Sequence, residues 1–535
     1  MAVILETLSV RKLVLLGLGI VVVLSAFFIA GGKIAPSPTT AMVHIAHICR
    51  ADKPSQPQEP WTCHRLPNMD AAKADPKATP QNIVFAIQFP HPGLEMSRWH
   101  QFIVSSVRLE IEYDEDQKYG IPGKKDSYPV WTFEARLYYK DKNDTSTEWK
   151  EMATSTEERS LVCNFTRSKS AGGGIYQCAD IPFFEIGSVY HEYYLVNLLL
   201  PAHRNKNRFI GKVAEVNFVE IHQNGGFTRV WFAMKTIVTP FSIAMLLWFA
   251  KKVKGLSREP LLLEKTMFIL GVVAVFLNFP IEWFTLWVDM PFMLLFTDIR
   301  QGLFYAMLMC FWIIFTGEHL LDQSERNKLK VYWRQVGCIG FGCLCLLVFD
   351  MCERGYQLHN PFYSIWATEL GSKLAYAFII CAGICACVYF LFLCVMVIKV
   401  FWNIRGKRAT FAKMSRARRL HYEGLIYRFE FLMVITLLCA ALTVIFFVIS
   451  NVNEAQWKFG SEESTVEISS ALFTGIYGMW NTYVLTLMYL YAPSTGDFAA
   501  GYNESRDTVE LTGEPNESGA RESIVYSMAG KTSME

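Results

Sequence analysis

The chain has 535 residues, of which 52% are hydrophobic and 14% aromatic against 19% charged, with a formal net charge of +2. That balance is too apolar for an ordinary soluble protein and points to a multi-pass membrane class. Net charge so close to zero names no partner, and no nucleic-acid partner is expected.

Arg11 and Lys12 precede an apolar run from Leu13 to Ala30. About 18 residues suffice to span a bilayer. Ala30-Gly31-Gly32 offers a small-residue cleavage site, but the run is longer than the apolar part of a usual signal peptide. Residues 1–30 are therefore expected to be a cytosolic N-terminus and an uncleaved anchor.

Residues 31–228 contain no window that could cross a membrane and read as a β-sandwich domain. Ile103, Ser105, Val107, Leu109, Ile111 and Tyr113 alternate with Val104, Ser106, Arg108, Glu110 and Glu112. Trp131, Phe133, Ala135, Leu137 and Tyr139 alternate with Thr132, Glu134, Arg136, Tyr138 and Lys140. A period of two with one charged face predicts half-buried antiparallel strands. Asn82–Phe89, Tyr190–Leu200 and Val213–Ile221 read as further strands, and five or more with turn signals between them suggest a sandwich or barrel. Of the 14 cysteines, Cys49, Cys63, Cys163 and Cys178 lie in this polar segment, and the other ten lie in or beside apolar runs. Four cysteines outside the membrane suggest two disulfides in an oxidising lumen, with three connectivities open and neighbour pairing the one taken forward. Asn143 and Asn164 head glycosylation sequons. His44, His47 and Cys49 are read as incidental neighbours on a loop rather than a metal site, and no cofactor or metal is expected.

After Asn224-Gly225-Gly226 the chain becomes apolar for good. Seven further spans are expected at about 230–250, 266–288, 299–318, 335–351, 373–400, 429–450 and 469–491, with residues 229–491 forming the helical bundle. The connections at 251–265, 319–334 and 401–428 are rich in Lys and Arg, whereas 289–298 has neither and 451–468 only Lys458. The positive-inside rule then puts the basic loops and both termini in the cytosol and the β-domain in the lumen. Residues 492–535 are acidic and rich in Gly, Ser, Glu and Thr, which predicts a disordered cytosolic tail.

Ionisable residues at membrane depth are costly and tend to face a cavity or a partner helix. Glu282, Asp289, Asp298, Arg300, Asp350, Glu353 and Arg354 gather at the luminal ends of their spans, with Glu318 and His319 at the cytosolic end. Phe279, Trp283, Phe284, Phe304, Tyr305 and Phe349 lie around the luminal group. The pattern fits a helical bundle with a cavity open to the lumen. Asp298 and Arg300 are two apart and do not face each other on a helix. A buried Arg300 needs a carboxylate from another element; Glu282, Asp289 and Asp350 are the candidates, with Glu282 preferred. No Gly-x-Gly-Asp, His-Glu-x-x-His or Gly-x-Ser-x-Gly motif lies in the spans, and no histidine sits at the luminal mouth to act as a base, so no enzyme is expected. Tyr422-Glu-Gly-Leu425 fits the tyrosine-based pattern that clathrin adaptors bind as an extended peptide, and the basic run before it suits anionic lipid.

Several segments are similar to the Wntless (Evenness interrupted) family of Wnt transport receptors. They are Ile221-His-Gln-Asn-Gly-Gly-Phe-Thr-Arg-Val-Trp-Phe-Ala-Met-Lys-Thr236, Pro280-Ile-Glu-Trp-Phe284, Asp298-Ile-Arg-Gln-Gly302, Phe349-Asp-Met-Cys-Glu-Arg-Gly355, Asn360-Pro-Phe-Tyr-Ser-Ile-Trp366, Arg418-Arg-Leu-His-Tyr-Glu-Gly-Leu-Ile426 and Phe473-Thr-Gly-Ile-Tyr-Gly-Met-Trp-Asn481. The match is looser in the β-domain and absent from the tail, which suggests an invertebrate member. The resemblance implies eight spans, a luminal β-sandwich between the first and second, and a receptor-like bundle of the last seven. It implies that palmitoleoylated Wnt proteins are carried, with the acyl chain in the bundle and the Wnt fold on the β-domain. Phe279, Glu282, Trp283, Asp298, Arg300, Phe304, Tyr305, Phe349 and Asp350 are then the cavity candidates. The family cycles through endoplasmic reticulum, Golgi, plasma membrane and endosomes with clathrin adaptor and retromer-type partners, and Tyr422 and Leu425 match its endocytic signal. Apart from the resemblance, the alternative is a signalling G-protein-coupled receptor with a large N-terminal domain, supported only by the basic third loop.

Overall fold

The protein is described from a computed structural model covering residues 3–113, 119–120, 128–142, 148–167, 174–201, 206–256, 258–320, 327–408, 416–459 and 470–493. Seven helices among these are long and apolar enough to cross a bilayer. They correspond to α1 (Val10–Ile29), α2 (Gly225–Lys254), α3 (Leu262–Asn278), α4 (Met293–Leu320), α5 (Trp333–Gln357), α6 (Glu369–Arg408) and α7 (Arg416–Phe459); an eighth long helix, α8 (Ser470–Tyr491), falls outside that group. The last is 22 residues long, about 33 Å of rise. Its Asn481, Trp480 and four tyrosines lower its hydropathy, but it sits inside the bundle rather than facing lipid.

The boundaries differ from the expected spans in informative ways. The span expected at 266–288 is helical only to Asn278, then continues as a 3-10 turn from Ile281 to Leu286. Pro280 is the reason: it lacks an N–H and disfavours helical geometry in the residue before it. The span expected from 299 begins at Met293, so Asp298 and Arg300 lie one to two turns inside a helix rather than at its end. The basic segment at 401–428 is not a loop throughout. α6 runs to Arg408 and α7 starts at Arg416, since Arg, Lys, Glu and Ala are good helix formers wherever water meets the backbone. The Tyr422–Leu425 backbone is therefore helical. α7 likewise continues to Phe459, through half of the connection expected at 451–468.

Between α1 and α2 the described residues form twelve strands in two antiparallel sheets. One has the order β1 (Thr39–Ile45), β12 (Lys212–Gln223), β5 (Ile103–Glu112), β9 (Gly174–Cys178), β8 (Cys163–Arg167), with β10 (Ile181–Ile186) on the other stretch of β5's free edge. The other has the order β3 (His64–Leu66), β2 (His47–Arg50), β4 (Ile83–Phe89), β11 (Tyr193–Leu199), β6 (Val130–Lys140), β7 (Lys150–Ser160). The alternating residues of β5 and β6 point their apolar sets between the sheets, where Phe89, Trp131, Phe133, Phe183, Tyr194 and Phe218 are fully or almost fully buried. The disulfides join Cys49 to Cys63 and Cys163 to Cys178, the second across the β8–β9 pair. Asn164 is exposed on edge strand β8, while Asn143 lies outside the described residues.

The bundle closes as a ring of α2, α3, α4, α6, α7 and α8, with α1 packed outside α8 and α5 outside α4. α4 and α8 fill the centre. Phe304, Leu308, Phe311, Trp312 and Phe315 meet Trp480, Tyr483, Val484 and Leu487. Their polar tips are paired: Trp312 Nε1 donates to Tyr483 Oη at 3.0 Å, Tyr483 to Thr436 at 3.0 Å, and Trp480 to Thr443 at 2.9 Å. Such pairing is what an aromatic with a polar handle needs once it is taken out of water. On the outside, Phe27 and Phe28 of α1 press on Gly478 and Gly475 of α8, where any Cβ would come within 2.3 Å of the rings. This is the close approach that small residues permit between membrane helices.

Candidate functional site

The site grows from a helix that ends at Asn278, within the apolar stretch Leu262–Leu286 that is long enough to cross a bilayer. A helix leaves its last four carbonyls without intrahelical partners, and in hydrocarbon each unsatisfied group costs several kcal/mol. α3 ends that way at Asn278, and Arg300 of α4 answers it. Its guanidinium donates to the carbonyls of Phe276 at 2.9 Å, Leu277 at 2.5 Å and Phe279 at 2.5 Å. Thr239 of α2 donates to the Asn278 carbonyl at 2.8 Å. Five donors in a fixed planar fork make this an arginine's task; a lysine could not span three carbonyls. The positive charge also meets the negative end of the α3 dipole.

Arg300 is 1% exposed and carries its charge into the interior. Glu282, on the 3-10 turn, is the counter-ion at 3.0 Å, and the same Oε1 receives Lys235 of α2 at 2.5 Å. Two cations thus share one carboxylate, all three are buried, and the cluster ties together α2, the 3-10 turn and α4. Below it Asn278 bridges from α3 to Ser242 of α2 at 3.1 Å and to Asn481 of α8. Beneath that pair Ser242, Asn481, Gly271 and Met488 line a pocket with room for about one water molecule.

The bundle end beside these charges holds the β-sandwich in three places. Arg354 of α5 reaches Asp298 of α4 at 2.6 Å and Glu185 of β10 at 2.7 Å. The α5–α6 connection inserts Phe362 between the sheets, where it is fully buried against Phe183 and Phe184. Its carbonyl accepts from Arg159 at 2.7 Å, and Glu185 N–H donates to the Pro361 carbonyl at 2.9 Å. Finally the segment after α3 receives Arg98 on the Leu286 carbonyl at 2.9 Å, Gln101 against Thr285 at 3.0 Å and Ser188 against Asp289 at 2.6 Å. β12 runs into α2 through Asn224, whose side chain accepts from Gly226 N–H and donates to Thr40.

Near that junction Glu220 lies between His222 at 2.5 Å and His44 at 3.4 Å. Burial pushes its carboxyl up, but the hydrogen bonds from His222 and His44 outweigh this and hold it below its usual value. Burial, with His222 beside it, lowers the His100 imidazole to about 4, so it is neutral at pH 7. His44, His47 and Cys49 do not converge: His47 packs on Trp61, and Cys49 is in its disulfide. Among the described residues no group of three His, Cys, Asp or Glu could hold a metal ion.

The nine cavity candidates are thus distributed over several surfaces. Glu282 and Arg300 meet directly, whereas Asp298 pairs with Arg354. Trp283 packs on Trp99 and Phe232 and donates to Thr236. Phe279 is 46% exposed. Phe304 and Tyr305 face Trp480 of α8, whereas Phe349 faces Phe378 of α6, with Asp350 half-buried beside it on α5. Lys235, Arg354 as a bridge, and Phe362 were not singled out as site residues from the sequence. Lys235 carries the signal that marked Arg300, a lone cation within an apolar run.

A β-sandwich clamped at three points to one end of a bundle of membrane-crossing helices defines a multi-pass membrane protein with an extramembrane β-domain. Comparison with known sequences fixes the family. The family described as "Wntless-like, transmembrane domain" matches residues 224–495, and "Wntless, GOLD domain" matches residues 44–223. "Protein wntless homolog" of Gallus gallus is 50% identical over 503 residues, covering 92% of this chain and 91% of the relative. The Homo sapiens homolog is 49% identical over 502 residues, with the same coverage. "Protein wntless" of Drosophila virilis is 43% identical over 513 residues, covering 92% and 89%. The chain belongs to the Wntless family.

Proposed function

We propose that this protein is a cargo receptor that binds lipid-modified Wnt proteins and carries them through the secretory pathway to the cell surface. The observation that carries the reading is the clamp between sandwich and bundle, through Phe362 and Arg354. A cargo that is half soluble protein and half acyl chain needs a protein-binding surface and an apolar refuge held at fixed spacing. Burying a CH₂ yields about 0.8 kcal/mol, so a 16-carbon chain is worth roughly 10 kcal/mol or more. A secreted protein bearing one stays in the membrane or aggregates unless something encloses it. The acyl chain is assigned to the side of the bundle where α5 packs on α4, reached past Asp298, Asp350 and Phe349. α5 and α6 leave long apolar faces there, including Phe341, Leu344, Val348, Ile380 and Ile384. No catalytic step is assigned. The β-domain is luminal and both termini cytosolic in this reading, with cycling among endoplasmic reticulum, Golgi, plasma membrane and endosomes.

Removing the gene from producing cells should trap acylated Wnt inside them, and normal secretion would end the proposal. Replacing the acylated serine of the cargo by alanine tests the refuge separately. Realising even a third of the acyl term is worth roughly a hundredfold in affinity, so binding should fall by at least that much; equal binding would leave only a protein–protein receptor.

Tyr422 and Leu425 are assigned as an endocytic signal for a clathrin adaptor. Because their backbone is helical in α7, an adaptor that reads extended peptide must first unwind the start of that helix. Tyr422→Ala should raise surface levels by slowing uptake in an antibody-feeding assay, and unchanged uptake would remove the sorting role.

A further inference from the structure

We propose that residues 279–292 form an interfacial wedge, seated in the leaflet on the β-domain side, which fixes the height of the sandwich above the membrane. The partner is the phospholipid bilayer itself. α3 has 17 residues, about 26 Å of rise, against a hydrocarbon core of about 30 Å. Lys265 stands exposed in its first turn, which puts that end at the opposite interface. The chain therefore leaves helical geometry while still at membrane depth, and the segment after Asn278 completes the crossing.

Non-helical backbone survives there only if the protein satisfies it, and much of this segment is satisfied. Phe279 N–H donates to the Val275 carbonyl, and Trp287 and Val288 N–H to the Phe284 carbonyl. The Phe279 carbonyl accepts from Arg300, the Glu282 carbonyl from Thr285, the Leu286 carbonyl from Arg98, and the Trp287 carbonyl from Tyr190. Its two carboxylates are held by the protein: Glu282 in the buried cluster, Asp289 by Ser188. Most of what faces outward is carbon, with Asp289 the exposed exception. Phe279, Phe284, Trp287, Val288 and Phe292 are between 46% and 63% exposed. They continue the lipid-facing surface made by Ile269 and Val272 of α3 and Leu303 of α4, each 42–49% exposed. Aromatic side chains, tryptophan above all, favour this interfacial level. A protein partner would be expected to meet polar groups on the face; Asp289 is the segment's exposed carboxylate, and Ser188 already holds one of its oxygens.

The test uses the full-length protein in nanodiscs of phosphatidylcholine brominated either just below the headgroup or near the chain end. The difference in tryptophan emission between wild type and Trp287→Phe reports Trp287 alone. Trp287 is 63% exposed, and the bonds described above use only its backbone, its N–H on Phe284 and its carbonyl on Tyr190, so the variant keeps its structure. The expected result is loss of that difference emission with shallow bromines and less loss with deep ones. Unquenched emission, as when a second copy or a protein cargo covers the face, overturns the wedge, and so does stronger quenching by the deep bromines. The readout needs no Wnt, so it stands or falls apart from the cargo proposal.

Discussion

Glu282→Ala is expected to destabilise the protein by about 3–5 kcal/mol, the usual effect of removing one partner from a buried ion pair. Here the loss strands two cations rather than one. Lys235 and Arg300 are both nearly sealed from water, and their mutual repulsion would no longer be offset. Arg300→Ala should be comparably harmful for a different reason: it leaves the carbonyls of Phe276 and Leu277 without donors at the end of α3, and Arg300→Lys should rescue it poorly. Lys235→Met is the informative contrast. It leaves a one-to-one Glu282–Arg300 pair and an intact cap, so it should be tolerated far better than either. The check is thermal unfolding of the detergent-solubilised protein together with the fraction that leaves the endoplasmic reticulum. If Lys235→Met and Glu282→Ala fall equally, the charge-sharing account of the cluster is wrong.

Phe362→Ala is the second large effect. Truncating a fully buried phenylalanine costs about 3–5 kcal/mol in transfer and cavity terms, but here the loss falls on a joint between two parts rather than on one core. The sandwich keeps its two disulfides and its own aromatic centre, so it should remain folded. The α5–α6 connection, no longer anchored, should exchange its amides faster, along with β10 beneath it. Hydrogen exchange read by mass spectrometry would check this: faster exchange confined to residues 358–368 and 181–186 is expected. Unchanged exchange would mean that Arg354 and the segment after α3 hold the domain unaided.

Much of this arrangement was legible beforehand, and the reasons differ by residue. The Arg300–Glu282 pair followed from one argument, that a cation inside an apolar run needs a carboxylate from another element. The same argument applied to Lys235 would have completed the cluster. β5 and β6 were readable because each has one buried and one wet face. β7 was not, because Lys150-Glu-Met-Ala-Thr-Ser-Thr-Glu-Glu-Arg-Ser160 is a sheet edge with little apolar periodicity to betray it. β8 and β9 are too short to show a period. The insertion of Phe362 and the reach of Arg354 to Glu185 join residues about 170–180 positions apart or more, and no local pattern encodes such a meeting. The break in α3 was signalled by Pro280, but its consequence, a capped helix end inside the bilayer, depends on where α4 happens to stand.

The seating of α1 on α8 has a consequence for biosynthesis. Thr474 Oγ1 donates to the Phe27 carbonyl across 447 positions of sequence, and Phe27 and Phe28 rest on Gly478 and Gly475. The first helix to enter the bilayer therefore has no resting place until the last one has been delivered by the ribosome. Contacts so distant in sequence are slow to form and leave the chain open meanwhile. During translation α1 waits beside a half-built bundle with an unoccupied face, a ready handle for membrane chaperones. A chain truncated before α8 would keep that face bare, and the cell could tell it from a finished molecule by that face alone.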